Sequence, residues 1–290
     1  MTISSDQLHR FTIDNADIRG VIVTLDQCLS DMPAMANYPA IVQALLGEFM
    51  AATSLLSSTL KFDGILTLQA RGNGDLPIIM GEMSHQKKLR GIAQVTQDKH
   101  LSEGRNLASL LGEGVLSMTI DPDKGERYQG IVPLEGDQLA TCLEGYFQHS
   151  EQLPTRIWLA SDGKKASGLL IQSLPQQLAS AEHNQDTWAT LVHLASTITQ
   201  QELLALNHPT LLTRLFHELG VRLYEPELLS FGCSCSKERC SNTLKHAGQD
   251  ELQTILSEDG QISVDCHFCG FQYIYNQNDV EALFLPETRH

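Results

Sequence analysis

Positive charge is scarce in this chain: 20 Lys and Arg stand against 35 Asp and Glu over 290 residues, a net of −15. Such a surface repels phosphate, which argues against a general nucleic-acid binder or an anionic-membrane binder. Charge is sparse altogether, at 19% against 42% hydrophobic residues, so wholesale disorder is excluded and a sizeable core is expected. Long hydrophobic runs are missing too. The longest uncharged stretch, 32–47, is broken by Pro33, Asn37 and Pro39 and does not read as a membrane span. Met1-Thr2-Ile3-Ser4-Ser5-Asp6 has no basic or apolar leader character, so a cytoplasmic protein is expected. No tandem repeat or low-complexity tract occurs.

Familiar catalytic signatures are missing as well. His217-Glu218 opens like H-E-x-x-H, but Val221 stands where the second histidine belongs. Zinc deaminases need H-x-E and P-C-x-x-C, whereas Asp265 precedes Cys266 and no H-x-E is present. Gly72-Asn73-Gly74 resembles the start of a dinucleotide loop, but Pro77 fills the third glycine's place, and a β-turn is the better reading. With no P-loop, no ATP site is expected. Nothing marks the chain as an enzyme.

Seven cysteines are present, an odd number that does not suit a fully paired disulfide scaffold. In a reducing cytoplasm, clustered cysteines point to metal or redox chemistry. Cys28 and Cys142 stand alone, while Cys233, Cys235, Cys240, Cys266 and Cys269 fall in the last 58 residues. That asymmetry predicts a large body carrying a small C-terminal module.

The body, 1–175, reads as mixed α and β. Strands are expected at 18–25, 64–70, 76–80, 114–120, 128–134, 156–160 and 168–174. Asp121-Pro122-Asp123-Lys124-Gly125 and Ser161-Asp162-Gly163-Lys164 supply turns suited to antiparallel pairing. A helix is expected from Pro39, a favoured first helical residue, to about Leu60. Its apolar positions (Ile41, Leu45, Phe49, Ala52, Leu56) face away from a side that is only weakly polar, so both sides should be covered. This is the pattern of an α+β fold with antiparallel sheets. From 176 to 231 strand signals vanish. A helical stretch, 176–201, presents Trp188, Leu191, Val192, Leu194, Ala195 and Ile198. A second helix opens at Pro209 and presents Leu211, Leu212, Leu215, Phe216 and Leu219, with Gly220 read as the glycine just past its end. This segment reads as a helical linker, and 232–290 as the cysteine module.

In that module, Cys233-Ser234-Cys235 is followed after thirty residues by Cys266-His267-Phe268-Cys269. Zinc takes four ligands in a tetrahedron, and two close thiolate pairs on two loops supply them. The bland alternative is a set of incidental cysteines, which two such tight pairs rarely represent. Cys240 could replace one ligand or remain a bystander thiol. His267 sits between two ligands and should point away. The first pair is C-x-C, tighter than the usual ribbon spacing, and adjacent thiols of this kind can form strained, labile disulfides. A C-x-x-C pair oxidises readily too. Two other readings of the module are a nucleic-acid-binding zinc ribbon and a thiol-disulfide oxidoreductase. The ribbon is disfavoured by charge: 232–290 holds four basic side chains against nine acidic ones, a net of −5.

The chain resembles the 33 kDa chaperonin family, the redox-regulated heat-shock holdases. The matching stretches are Gly114-Val115-Leu116-Ser117-Met118-Thr119-Ile120-Asp121, Tyr128-Gln129-Gly130-Ile131-Val132-Pro133-Leu134, and Tyr146-Phe147-Gln148 through Leu153-Pro154-Thr155. They continue in Arg214-Leu215-Phe216-His217-Glu218, Phe231-Gly232-Cys233-Ser234-Cys235 and Cys266-His267-Phe268-Cys269-Gly270. The resemblance implies an ATP-independent chaperone, inactive when reduced and active when oxidised. It implies one zinc held by Cys233, Cys235, Cys266 and Cys269. Hypochlorous acid, or peroxide with heat, is then expected to form the disulfides Cys233–Cys235 and Cys266–Cys269. Zinc leaves, the module and linker unfold, unfolding client proteins bind, and the active form is a homodimer. The physics agrees, because a structural zinc supplies about 10–16 kcal/mol to a small domain. The linker's leucine stripes would become exposed on release, although such stripes also serve simply as core.

Overall fold

The computed structural model describes residues 6–96, 104 and 106–284. It divides the chain into two compact units, Met1–Gly232 and Cys233–His290.

In chain order the first unit holds β1 (Gln7–Ile13), β2 (Ile18–Leu25), α1 (Gln27–Ser30), α2 (Ala40–Thr59), β3 (Gly64–Gly72), β4 (Ile78–Ser84) and β5 (Lys88–Gln94). There follow α3 (Leu107–Leu111), β6 (Gly114–Pro122), β7 (Tyr128–Pro133), α4 (Leu139–Tyr146), β8 (Thr155–Ser161) and β9 (Ala166–Ser173). The unit closes with α5 (Ala181–Ala195), α6 (Gln200–Ala205), α7 (His208–Phe216), β10 (Val221–Leu223), β11 (Glu227–Leu228) and β12 (Ser230–Phe231). The second unit holds α8 (Lys237–Ala247), α9 (Gln249–Asp259), β13 (Ile262–Asp265), β14 (Gln272–Tyr275) and α10 (Gln277–Leu283). The expected α+β class with antiparallel sheets is what the chain adopts.

Two six-stranded sheets build the first unit. One runs β10-β1-β2-β9-β8, with β11 also on β1; the other runs β12-β5-β4-β3-β6-β7. Every pairing is antiparallel except the short parallel contact of β12 with β5. Both expected turns join neighbours, β6 to β7 and β8 to β9.

Helix α2 packs against both sheets and is buried from Leu45 almost to its end. It begins at Ala40, with Pro39 flanking rather than entering it. Its length and composition would suffice to cross a membrane, but here it is a core helix. Its hydroxyls are satisfied within the helix: Thr53 Oγ1 donates to the Phe49 carbonyl at 2.7 Å and Ser54 Oγ to that of Met50 at 2.8 Å. Gly91 lets β5 approach it, since a Cβ there would lie 2.6 Å from Met50 Sδ.

The 176–231 segment needs three corrections. The expected helix 176–201 is shorter. Asp17 accepts from the backbone amides of Gln177, Leu178 and Ala179, holding them in a turn, and α5 starts only after Ser180 caps it. A new cap at Thr199 then opens α6. The segment also contains strands β10, β11 and β12, two or three residues each, formed by pairing with β1 and β5 rather than by any pattern of their own. Lastly, α7 ends at Phe216, and Gly220 is not its terminator. The glycine permits close approach: its carbonyl accepts from Asp14 N at 2.7 Å, and a Cβ there would lie 2.8 Å from the Asp14 carboxylate.

The outer face of the first sheet forms a second core with these helices. Phe11, Ile13, Ile18, Ile22, Leu169 and Ile171 meet Leu191, Ala195, Leu203, Leu211, Leu212 and Phe216. The leucine stripes are therefore core in this state.

Candidate metal centre

Four thiols converge in the second unit. Cys233, Cys235, Cys266 and Cys269 place their Sγ atoms within 4.8 Å of one another. Two loops bring them there.

Cys233 and Cys235 lie just ahead of α8, whose first turn is capped by Ser236 Oγ accepting from Arg239 N. The Arg239 guanidinium donates to the Ser234 carbonyl at 3.1 Å and to Ser234 Oγ at 2.8 Å, fixing the residue between the two cysteines. Cys266 and Cys269 occupy the turn between β13 and β14, which pair from Ile262 opposite Tyr275 to Asp265 opposite Gln272. Gly270 N donates to the Cys266 carbonyl at 2.7 Å, and Gly270 adopts φ +69°, a left-handed conformation suited to glycine. Tyr275, fully buried, ties the hairpin to the start of α8: its Oη donates to the Lys237 carbonyl at 2.8 Å.

The sulfur spacing suits a tetrahedral metal. Cys233 and Cys266 are 3.6 Å apart, Cys235 and Cys269 3.4 Å. A zinc–sulfur distance of about 2.3 Å gives tetrahedron edges of about 3.8 Å. All seven cysteines are thiols, none joined by a disulfide. An all-sulfur set is the soft, closed donor set of a structural zinc site. These four residues would hold the ion.

The sulfurs are not equivalent. Burial acts to raise the Cys235 thiol, but hydrogen bonds from Tyr273 Oη and its three partner cysteines outweigh it and hold the thiol at about 7. Cys269 is pushed up to about 12, first by burial, against a backbone amide contact at Phe271 and with the cysteines it faces. A thiolate within the cluster is thus favoured at one corner.

The other candidates lie elsewhere. Cys240 is outside the four-sulfur group, and its thiol is raised by burial and by the charges of Cys266 and Cys235. His267 is exposed and takes no part. Cys28 and Cys142 are buried in the first unit, their thiols raised chiefly by burial. Sequence reasoning missed the supporting residues Arg239, Tyr273 and Tyr275. Tyr273 and Tyr275 alternate along Gln272-Tyr273-Ile274-Tyr275, a strand signal immediately after the second cysteine pair.

Together these features define a class: an α+β protein of two units, the smaller carrying a cluster of four thiols that could hold a metal ion. A family model described as Hsp33 protein matches residues 6–276. The 33 kDa chaperonin of Pseudomonas aeruginosa (strain LESB58) is 48% identical over 99% of each chain. That of Azotobacter vinelandii is 48% identical over 96% of this chain and 94% of its own. The crystal structure of the 33 kDa chaperonin from Thermotoga maritima superposes with a TM-score of 0.83 at 21% identity, covering 96% of this chain and 97% of that one. The chain belongs to the Hsp33 family.

Proposed function

We propose that this chain is a redox-regulated, ATP-independent holdase of the cytoplasm, which binds unfolding proteins under oxidative stress. The observation carrying the proposal is the four-thiol centre inside a unit whose small core, among the described residues, is Leu252, Leu256, Ile262, Tyr275 and Val280. When bound, zinc supplies a cross-link between two loops and holds the sulfurs as thiolates. Thiolates are also the form that oxidants attack. The same four sulfurs therefore sense and staple.

In this reading residues 1–175 are the body, 176–231 the linker and 232–290 the switch. Oxidation pairs Cys233 with Cys235 and Cys266 with Cys269. Each pair of thiolates gives up two electrons, which with two protons from solvent reduce one peroxide to two waters. The residues then no longer offer four thiolates, and the small unit loses its staple. Chain continuity through Phe231-Gly232 passes the loss to the linker. Its buried face, Leu191, Leu211, Leu212 and Phe216, becomes available to client chains, and the oxidised protein dimerises. Clients are recognised by exposed apolar surface, and neither nucleic acid nor membrane is a partner.

The test is zinc stoichiometry with thiol titration before and after peroxide treatment at elevated temperature. One zinc and four thiols should be lost together. Suppression of client aggregation, without ATP, should appear in step. Equal suppression by the reduced, zinc-loaded protein overturns the switch. Loss of two thiols, or of five, overturns the residue assignment.

A further inference from the structure

One side chain beside the sulfurs has no part in ligation. Tyr273 Oη donates to Cys235 Sγ at 3.2 Å. The phenol is held from several directions. It sits on β14 opposite Val264. Its ring leans on Phe271 with centroids 4.8 Å apart. The rest of the side chain packs against the small core that contains Leu252 and Tyr275. The hydroxyl is thus carried by a strand rather than a loose loop, and its aim at the sulfur is set by the hairpin register.

A hydrogen bond to a thiolate draws electron density from the sulfur. Such outer contacts tune metal-bound thiolates without ligating. The sulfur lone pair is also what attacks an oxidant. A donor on Cys235 therefore makes that sulfur a poorer nucleophile. We propose that Tyr273 is a positioning residue that restrains oxidation of Cys235, setting the threshold at which the C-x-C pair yields. This rests on the redox-switch reading above.

The restrained step balances as follows. The Cys235 thiolate attacks one peroxide oxygen, the O–O bond breaks, and hydroxide leaves and is protonated to water. The resulting sulfenic acid is attacked by the Cys233 thiolate, the S–S bond forms, and a second hydroxide leaves as water after protonation. Two electrons pass from the two sulfurs to one peroxide. Tyr273 gives up neither an electron nor its proton.

The test is Tyr273→Phe in the full, zinc-loaded chain, which keeps the ring and removes only the hydroxyl. Zinc release is followed with a chromogenic chelator over a series of peroxide concentrations. The second-order rate should rise on the order of tenfold. Trapping of sulfenic acid, mapped by mass spectrometry, should shift toward Cys235. In the cobalt-substituted protein the thiolate-to-metal charge-transfer band should move, a signature that a purely packing role would not produce. An unchanged peroxide rate overturns the proposal. So does an equal acceleration of zinc loss to the chelator without peroxide, because that would be weakened binding. If the unsubstituted protein releases no zinc in peroxide, the redox switch itself fails, a result distinct from equal rates in the two proteins.

Discussion

The two units are stabilised by different physics. The first closes two six-stranded sheets on a buried helix and lays α5, α6 and α7 on the outer face of one of them. Its two cores take in Val, Leu, Ile, Met and Phe side chains from nearly every element. Among its described residues the second has a two-stranded hairpin, three helices and one small core, and α8 buries no residue at all. A two-stranded hairpin is marginal alone, and a unit of 58 residues sits where metals or disulfides are usually needed. Large apolar burial stabilises the first unit without recourse to its two buried cysteines. In the second, four thiols stand close together where such burial is thin.

The strongest way to break this contrast is to remove the metal. Chelation under reducing conditions, or Cys266→Ser, should withdraw about 10–16 kcal/mol from the second unit. Amide exchange should then become unprotected across 233–284 while β1–β9 stay protected. Retained protection in α9 and the hairpin without metal would show that five buried side chains suffice.

The converse substitution should damage only the first unit. Phe49 is fully buried in α2, between the sheets. Phe49→Ala should cost about 3–5 kcal/mol by leaving a cavity. Denaturant unfolding should show that loss, with zinc affinity unchanged. A comparable fall in zinc affinity would mean the two units share their stability.

How much of this was legible in the sequence follows the same division. The strands at 18–25 and 114–120 announced themselves because alternating or continuous apolar residues meet a core. β1 was missed although Leu8, Phe11 and Ile13 are buried, because His9 and Arg10 interrupt the pattern. β5 was missed because two of its core positions are the small residues Gly91 and Ala93, the former set by its close approach to α2 rather than by strand preference. The helix 176–201 was overextended because the turn at 177–179 depends on Asp17, about 160 positions away. At the metal centre, spacing alone brought out the four cysteines. The residues that aim them, Tyr275 and Arg239, act through distant or backbone contacts that no spacing announces.

A smaller effect should separate α7 from α5 by pH. His208, at the start of α7, and His9, on β1, are buried with their Nδ1 atoms 2.7 Å apart, and His208 Nε2 lies 2.9 Å from Thr24 Oγ1. Burial, then the facing His9, pushes His208 down to about 3. Burial also lowers His9, against the opposing charge of Glu225. A base with a depressed folded value binds its proton more readily when unfolded. Docking of α7 should therefore be fully stable above about 6.5 and weaken as pH falls toward 3. At pH 5 the loss from His208 is about 2 kcal/mol. Asp17, drawn down to about 2 chiefly by the Asn184 side chain and then the Gln177 amide, stays charged there, so the start of the linker should hold. Amide exchange at pH 7 and pH 5 should show α7 loosening before α5. His208→Gln should flatten that dependence, and an unaltered dependence would remove the pair from the account.

The smallest expected effect isolates the stability of α6 from sulfur chemistry. Helix α6 has six residues and depends on its cap: Thr199 Oγ1 accepts from Glu202 N at 3.2 Å, and Glu202 Oε2 accepts from Thr199 N at 3.1 Å. Both partners lie in the first unit, so Thr199→Ala touches no ligand of the metal centre. It should cost about 1 kcal/mol of helix stability. The rate of zinc release in peroxide should stay the same, because the attacked sulfurs are unaltered. The temperature at which holdase activity appears after oxidation should fall, because less energy holds Leu203 against the sheet. A changed zinc-release rate would mean that linker packing governs the sulfurs directly, and the division of labour between apolar burial and metal would have to be redrawn.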